Sequence, residues 1–393
     1  MKVLLISHTC QSRSEGQPKA VELARLGVDL TVVVPRRWKH YGAWRAAQSP
    51  IEDAGFHWKP MTVRLPWSGP AQSYLHFYPG LPALLRRMQP DVIDLWEEPW
   101  SLVSAQACWL RDRFCPAARI VSETEQNVDK QLVPPFESFR ADVLRRADWV
   151  VGRSQQAIEI VRRKGYDGPA RVVPNAVDAD LFDVPAPAAR AQTRADLGWG
   201  EAWVCGYVGR LVEEKGLHDF IAALAQIPAS AHRAPHRAVL VGDGPLEAPL
   251  RAQIAELGLG ERVQLLPARP ARELATVMGA LDALVLPSRT TARWKEQFGR
   301  VLIEAGACGV PVVGSDSGAI PDVVGEAGLI FPEGDATALA QKLEWLADHP
   351  DQARAMGARG RQIVEQKYTW ARVAQQMAQI YREAMDTPAR EQE

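Results

Sequence analysis

The sequence predicts an α/β protein made of two Rossmann-like, doubly wound domains. Short, continuously apolar runs alternate with stretches of helical spacing, which is the pattern of parallel strands connected by helices. The alternation starts again after a segment rich in alanine and proline at 186–194, and a chain of 393 residues has room for two such domains. We therefore expect one domain over 1–186 and a second over 187–369.

The composition is ordinary for a globular protein, with 47% hydrophobic and 24% charged residues. A net charge of −1 argues against a dedicated nucleic-acid binder. Residues 1–186 carry 24 Lys+Arg against 21 Asp+Glu, a slightly basic balance that is compatible with an anionic membrane surface. The five cysteines are scattered without a C-x-x-C pair, which predicts reduced thiols and a cytosolic location. No apolar run reaches about 18 residues and the first residues lack a signal-peptide core, so we expect neither a membrane span nor a secretion signal.

In the first domain, short apolar runs predict buried parallel strands at 3–6, 28–34, 90–96, 119–122 and 148–152. Helical spacing predicts helices at 17–26, 101–113, 136–147 and 155–164. Residues 56–65 are predicted as a pair of edge strands. Residues 36–48 carry basic side chains and two tryptophans, and we predict a loop that either contacts lipid headgroups or an anionic substrate, or is simply solvated.

Polar side chains follow the carboxyl ends of three of these strands, where open α/β sheets bind ligands. His8 follows the first strand, Glu97 follows the strand at 90–96, and Glu123 and Glu125 follow the strand at 119–122. Gly16 precedes the first helix, where a glycine lets the chain approach a phosphate, although an ordinary turn would also account for it.

The second domain repeats the pattern, with strands predicted at 203–208, 237–241, 262–266, 283–287 and 311–313. Helices are predicted at 217–226, 246–257, 272–279 and 299–309. The last helix is predicted at 370–385, because Val373, Met377 and Tyr381 have helical spacing.

Two carboxylates lie eight positions apart near the helix predicted at 299–309: Glu296 precedes this helix and Glu304 lies within it. Each residue of a helix turns by about 100°, so a residue eight positions further on lies within about 80° of the starting direction. Glu304 therefore faces the loop that carries Glu296. A carboxylate accepts two hydroxyls, so such a pair suits a polyol such as ribose or a hexose. Phe298 and Gly299 place free backbone N–H groups at a helix N-terminus, a site for phosphate. Hydroxyls together with phosphate indicate a nucleotide sugar; a surface ion pair without function is the alternative.

Two cations follow the strand at 203–208. Arg210 comes after Gly209, and Lys215 precedes another glycine. Fixed cations at a strand end suit a diphosphate, because they stabilise the negative charge that develops on a nucleoside diphosphate as it leaves. The alternative is a basic surface loop.

Together these motifs resemble the retaining nucleotide-sugar glycosyltransferases of family 4. The pattern G-R-L-x-x-x-K-G from Gly209 is followed by V-G-D-G-P, E-x7-E and G-V-P-V-V-G-S-D in the order and spacing of the family. The resemblance covers essentially the whole chain and is strongest over 208–324. It implies the GT-B fold, in which two Rossmann-like domains face each other across a cleft and the C-terminal helix, here 370–386, crosses back to the first domain.

The resemblance also implies roles for individual residues. Arg210 and Lys215 would bind the donor diphosphate, Glu304 the ribose and Glu296 the transferred sugar. The remaining donor-side residues would be Gly16, Gly209, Pro267, Phe298 and Gly299, with Pro267 lying against the base. Apart from the resemblance, the strand-end positions of His8, Glu97, Glu123 and Glu125 predict that they line the acceptor side; the alternative for the three carboxylates is that they are ordinary strand-end residues.

The chain departs from the family at two places. Family members commonly have two adjacent glycines where this chain has Glu15 and Gly16, and often a histidine where it has Glu123. The identity of the acceptor is therefore not carried over. The single D-x-D, Asp178 to Asp180, is predicted to serve a turn rather than a metal. Because the family is metal-independent, we expect neither a metal nor a cofactor.

The function predicted from the sequence is a cytosolic enzyme that moves a sugar from a nucleoside diphosphate sugar to an acceptor hydroxyl with retention. Front-side attack in this family requires no dedicated protein base. Glycan, lipid-linked and small-molecule acceptors all stay open, as do the base and the sugar of the donor. The competing hypotheses are a sugar-nucleotide epimerase, a phosphorylase of the same architecture, or a catalytically silent sugar-nucleotide-binding subunit.

Overall fold

The computed structural model describes residues 1–40, 43–51, 53–64, 72–228 and 236–386, which form two compact units. The first unit is Met1–Pro174 together with the segment that begins at Trp370, and the second is Asn175–Thr369. The boundary therefore lies after Pro174 and not after Ala186 as expected. The residues just after Pro174 belong to the second unit because of their contacts. The backbone N–H of Val177 donates a hydrogen bond of 2.8 Å to the carbonyl of Tyr368, and Phe182 packs into the core of the second unit.

The first unit contains a seven-stranded parallel sheet in the order β5-β2-β1-β6-β7-β8-β9. The strands of this unit are β1 (Lys2–Ile6), β2 (Asp29–Pro35), β3 (Arg37–His40), β4 (Ala43–Ala46), β5 (His57–Met61), β6 (Val92–Leu95), β7 (Arg119–Thr124), β8 (Trp149–Gly152) and β9 (Ala170–Val172). Its helices are α1 (Gln17–Arg25), α2 (Gln72–Leu75), α3 (Leu81–Met88), α4 (Leu102–Phe114), α5 (Phe136–Arg146) and α6 (Gln155–Arg163).

The second unit contains a six-stranded parallel sheet in the order β12-β11-β10-β13-β14-β15. Its strands are β10 (Trp203–Val208), β11 (His236–Val241), β12 (Val263–Leu266), β13 (Ala283–Leu286), β14 (Val312–Ser315) and β15 (Gly328–Phe331). Its helices are α7 (Pro187–Asp196), α8 (Leu217–Gln226), α9 (Glu247–Glu256), α10 (Ala271–Gly279), α11 (Arg300–Ala307), α12 (Ile320–Val324), α13 (Ala336–Asp348) and α14 (Pro350–Ile363). The last helix, α15 (Trp370–Asp386), belongs to the first unit.

The two sheets have the same kind of topology. In each, the chain winds outward in one direction from a central strand and then returns to continue in the other direction. The order reverses between β1 and β6 in the first sheet and between β10 and β13 in the second. In open α/β sheets this reversal opens a crevice at the carboxyl ends of the two central strands, and ligands bind there.

Two predictions for the first unit were wrong. The predicted pair of edge strands at 56–65 is a single strand, β5, which lies at the sheet edge and tolerates Pro60 there; residue 65 falls outside the described residues. The basic segment at 36–48 is not only a loop. Its described residues form an antiparallel ribbon in which Trp38 pairs with Arg45 and Lys39 with Trp44. The other predicted strands and helices are present, with ends within two residues of those expected.

The cores follow from the apolar strands. Residues 3–6 of β1 and 283–286 of β13 are buried along their whole length, as expected of parallel strands covered on both faces by helices. None of the helices in the described part of the chain combines the length and apolar character that a bilayer span requires.

Candidate active site

The reversal point of the second sheet brings together two of the predicted residues. Lys215 lies in the turn after β10 and Glu296 in the loop after β13, and Lys215 Nζ donates a hydrogen bond of 2.6 Å to Glu296 Oε2. The two loops also touch directly. Gly216 has a φ of +64°, and a Cβ there would lie 1.9 Å from the carbonyl oxygen of Pro287, so only glycine fits. The structure thus joins the predicted diphosphate-binding cation to the predicted sugar-binding carboxylate.

Several contacts fix the position of Glu296. The residue is 7% exposed, and its Oε2 also accepts a hydrogen bond of 2.9 Å from the buried hydroxyl of Ser288. Its carbonyl accepts the N–H of Ala319 at 3.0 Å. Two residues before it, the ring of Trp294 lies 4.7 Å from Lys215 Nζ, a cation–π contact that holds the ammonium from another side. Neither Ser288 nor Trp294 belongs to a spacing motif, so the sequence alone did not indicate them.

Other predicted donor-side residues lie at the same carboxyl edge of this sheet. Gly209 and Arg210 follow β10; Arg210 is exposed, and its carbonyl accepts the Tyr207 hydroxyl at 2.7 Å. Pro267 follows β12 and is exposed. The next residue ties this loop to the loop after β11, because the N–H of Ala268 donates to a carboxylate oxygen of Asp243 at 3.1 Å.

Helix α11 places the second carboxylate of the motif. It begins after Gly299, whose φ is +80°, and the preceding Phe298 is buried edge-on against Tyr368 at 5.7 Å between ring centroids. The Glu304 side chain is 15% exposed and lies 3.8 Å from the guanidinium of Arg300. Burial raises the pKa of Glu304, and Arg300 only partly opposes this. The ribose contact of Glu304 and the backbone contacts of Phe298 and Gly299 stay predictions.

The reversal point of the first sheet joins two of the predicted acceptor-side residues. His8 follows β1 and Glu97 follows β6, and His8 Nδ1 lies 2.8 and 2.9 Å from the two carboxylate oxygens of Glu97. Glu125, at the end of β7, has a side chain 40% exposed. Its N–H donates to Glu98 at 2.9 Å, and burial raises the pKa of Glu98 to about 8. Glu98 was not among the predicted residues, although the adjacent carboxylates at 97–98 were visible in the sequence.

Glu123 does not lie at an open edge as expected. It is 1% exposed and forms ion pairs with Lys19 and Arg153, both of which are also buried. Although burial alone would raise the pKa of Glu123, the two cations lower it to about 2. Lys19 also lies 3.2 Å from Asp94, whose pKa burial and the charge of Glu123 raise to about 7. A carboxylate so enclosed stabilises the interior of the first unit, and nothing in its surroundings supports contact with an acceptor.

Gly16 is explained by packing. It precedes α1 and is buried, and a Cβ there would lie 2.6 Å from the Cα of Cys10. Its predicted contact with the donor stays a prediction.

Asp178 caps a turn as expected, since its side chain accepts hydrogen bonds from the N–H groups of Asp180 and Leu181, both at 3.1 Å. Over the residues that the structure describes, no three His, Cys, Asp or Glu side chains are grouped to hold a metal ion.

Comparison with known proteins identifies the family. A model described as Glycosyltransferase Family 4 matches residues 20–181, and one described as Glycosyl transferases group 1 matches residues 189–363. A GDP-mannose-dependent alpha-(1-6)-phosphatidylinositol monomannoside mannosyltransferase of Mycolicibacterium smegmatis is 34% identical over 371 residues, covering 90% of each chain. The chain is a family 4 glycosyltransferase.

Other similarities of this glycosyltransferase agree with that family. A D-inositol 3-phosphate glycosyltransferase of Corynebacterium jeikeium is 30% identical over 304 residues, which cover 74% of this chain and 68% of the relative. The solved structure of HepE from Anabaena with UDP has a TM-score of 0.73 at 20% identity, covering 98% of this chain and all of that one. The fold of this glycosyltransferase is therefore GT-B, as the motifs predict.

Proposed function

We propose that this glycosyltransferase transfers a hexose from a nucleoside diphosphate sugar to an acceptor hydroxyl with retention at the anomeric carbon. The observation that carries the proposal is the Lys215–Glu296 pair at the reversal point of the second sheet. A cation able to reach a diphosphate and a carboxylate able to accept sugar hydroxyls lie within one hydrogen bond of each other.

In this proposal the donor lies along the carboxyl edge of the second sheet. Arg210 and Lys215 bind the diphosphate and stabilise the charge that it gains as the bond to the sugar breaks. Glu296 accepts hydroxyls of the transferred sugar, and Glu304 accepts the ribose hydroxyls. The N–H groups at the start of α11 contribute to phosphate binding, and the loop at Pro267 lies against the base.

The names of the relatives suggest which ligands to test first. The mycobacterial relative is named for GDP-mannose, and both relatives are named for acceptors that contain inositol. We propose a hydroxyl-rich acceptor carried on a lipid or a glycan, used in making a glycoconjugate, and peripheral contact of the first unit with a membrane. The five cysteines are unpaired and buried, which suits a reducing, cytoplasmic compartment.

A thermal-shift panel of GDP, UDP, ADP and their sugars tests donor binding. A ligand that binds only the folded state adds about 2.7 kcal/mol of stability at a hundredfold excess over its dissociation constant. Release of the nucleotide should then depend on an acceptor extract and persist in EDTA, because we propose no metal or cofactor. The anomeric configuration of the product, read by NMR, tests retention.

The alternatives give different results in the same assays. A silent subunit would bind the nucleotide sugar without releasing nucleotide in any extract. An epimerase would change the sugar without an acceptor. If no nucleotide raised the unfolding temperature, the proposed function would be wrong.

A further inference from the structure

The first sheet has at its own reversal point a side-chain pair whose role the family motifs leave open. β1 and β6 are neighbours there, and the residues that follow them are His8 and Glu97. The equivalent position in the second sheet carries the Lys215–Glu296 pair. Since ligands of open α/β sheets bind at such points, the His8–Glu97 pair occupies a place where a ligand is expected.

The histidine ring is held in one orientation. Besides the two contacts of Nδ1 with Glu97, the backbone N–H of His8 donates to the same carboxylate at 2.6 Å. The ring stacks on Trp38 of the β3–β4 ribbon, with 4.9 Å between centroids and 24° between planes. Glu97 is buried, and Nε2 of the fully buried His76 lies 3.9 Å from Glu97 Oε1. The ring therefore cannot rotate without breaking several contacts.

The free edge of the ring is available to a ligand. The His8 side chain is 30% exposed, and within the described residues no hydrogen bond reaches its Nε2. Because Glu97 accepts from Nδ1, the neutral ring carries its proton on Nδ1 and offers a lone pair at Nε2. Such an atom accepts a hydrogen bond from a hydroxyl.

We propose, on the basis of the transferase function proposed above, that His8 Nε2 binds the attacking hydroxyl of the acceptor and that Glu97 and Trp38 position the ring for it. The acceptor is therefore a polyol or a sugar, and its attacking hydroxyl binds at the carboxyl end of β1. Holding the attacking hydroxyl in one direction raises the reaction rate, because a misplaced reactant lowers that rate by about 10²-fold. Trp38 and Glu97 act through His8 and are positioning residues.

The pair gives the reaction a pH dependence that can be tested. Burial lowers the pKa of His8, but Glu97 more than offsets this and, with Glu125 and Glu15, raises the pKa above its usual value of 6.5. His76 is the further titratable group facing Glu97. When His8 is protonated, Nε2 becomes a donor and can no longer accept the hydroxyl, so transfer should fall at low pH. Glu97→Gln removes the main charge that raises the pKa, and the acidic limb should move to lower pH.

The test compares His8→Ala, His8→Gln and Glu97→Gln with His57→Ala. His57 is a matched control, since it lies in the same unit, 3.7 Å from the carboxylate of Asp29, but at the amino ends of the strands. We expect either His8 variant to lower kcat/KM for the acceptor by about 10²-fold, with nucleotide affinity changed less than twofold. The His57 variant should match the wild type, and Glu97→Gln should shift the pH limb.

Two results would overturn the proposal. One is unchanged acceptor kinetics in whichever His8 variant folds, as judged by its unfolding temperature. The other is an acidic limb that stays in place in Glu97→Gln. Both leave the proposed function intact as long as the wild type binds nucleotide and releases it in the presence of acceptor. A wild type that binds no nucleotide would overturn the proposed function and this inference together.

Discussion

Lys215 donates a hydrogen bond of 2.6 Å to Glu296, so the cation proposed for the diphosphate and the carboxylate proposed for the sugar neutralise each other. A diphosphate that recruits Lys215 must compete with this carboxylate. The two residues are therefore coupled, and removing the charge of one changes what the other can bind. Neither spacing nor composition could have indicated this, because 81 residues separate the two in the chain.

Glu296→Gln should separate binding of the free nucleotide from binding of the intact donor. Lys215 loses its charged partner, so affinity for the free nucleoside diphosphate should rise about fivefold, or about 1 kcal/mol. Turnover should fall, because hydroxyl contacts to the moving sugar strengthen in the transition state. Calorimetric titration with nucleotide and with nucleotide sugar measures both effects. Ser288→Ala is the matched control: it removes an uncharged donor to the same oxygen and should not raise nucleotide affinity. Weaker nucleotide binding in Glu296→Gln would contradict this coupling.

Arg210→Ala and Lys215→Ala should each lower turnover by about 10²-fold, since each removes a cation that stabilises the leaving diphosphate. The unfolding temperature should stay near that of the wild type in both. Arg251→Ala is a suitable control, because Arg251 is an exposed arginine of the same unit whose ion pair, within the described residues, is with Glu247 on its own helix. Near-normal turnover in both site variants would remove these cations from the mechanism.

Glu304→Gln should weaken the nucleotide and the nucleotide sugar by similar factors, because ribose is common to both. Charge-assisted hydrogen bonds are about twice as strong as neutral ones. We therefore expect Glu304→Gln to lose about 1.4 kcal/mol of binding free energy, which lowers the affinity for each ligand about tenfold. Burial raises the pKa of Glu304, so in the wild type this affinity should fall at a higher pH than for an ordinary glutamate as the solution is acidified. Titrations of both ligands between neutral and acidic pH measure this. A loss confined to the nucleotide sugar would place Glu304 on the transferred sugar instead.

Periodicity in the sequence was sufficient for most of the fold. Residues 3–6 of β1 and all of β13 are apolar and buried, and Gly299 and Gly309 bound α11, so strands and helices were visible locally. The ribbon at β3–β4 was missed because its basic residues obscure the alternation of a strand. Glu123 was misplaced for a related reason: its partners Lys19 and Arg153 are distant in sequence, and only the fold brings them to it.

Tyr381→Phe should destabilise the first unit. The Tyr381 hydroxyl on α15 donates to a carboxylate oxygen of buried Asp94 at 2.6 Å, and losing that donor should cost about 1–3 kcal/mol of unfolding free energy. Because the pKa of Asp94 is raised to about 7, the carboxylate is charged above that pH and protonated below it. The loss should therefore be larger at pH 8 than at pH 5.5, in urea unfolding at each pH.

Tyr78→Phe is the matched control for that variant. Its hydroxyl is also buried in the first unit, but it has no hydrogen-bond partner among the described residues. Removing it should cost little. A loss in Tyr381→Phe that is equal at both pH values, or equal to that of Tyr78→Phe, would mean that the bond to Asp94 does not stabilise the fold.

The β3–β4 ribbon should carry the membrane contact proposed for the first unit. Residues 36–51 contain three arginines, a lysine and no carboxylate. Trp38 is buried on one face of the ribbon, whereas Arg37 and Trp44 are exposed on the other face. The guanidinium carbon of Arg37 lies 5.8 Å from the centroid of the Trp44 ring. Cations around an exposed tryptophan suit an anionic interface, where each cation contributes about 1 kcal/mol.

Vesicle sedimentation measures this contact. Lys39 pairs with Trp44 and so lies on the same face of the ribbon as Trp44 and Arg37. Arg37→Gln with Lys39→Gln should weaken binding to vesicles of phosphatidylcholine and phosphatidylglycerol by more than about tenfold at low salt, and Trp44→Ala should weaken it further. Binding of the wild type should weaken as salt is added, because exposed charges are screened. Trp109→Ala is the matched control, since Trp109 on α4 is 43% exposed and Trp44 is 44% exposed. Equal sedimentation of wild type and ribbon variants, or an equal loss in the Trp109 variant, would show that the ribbon is not the surface that meets the lipid.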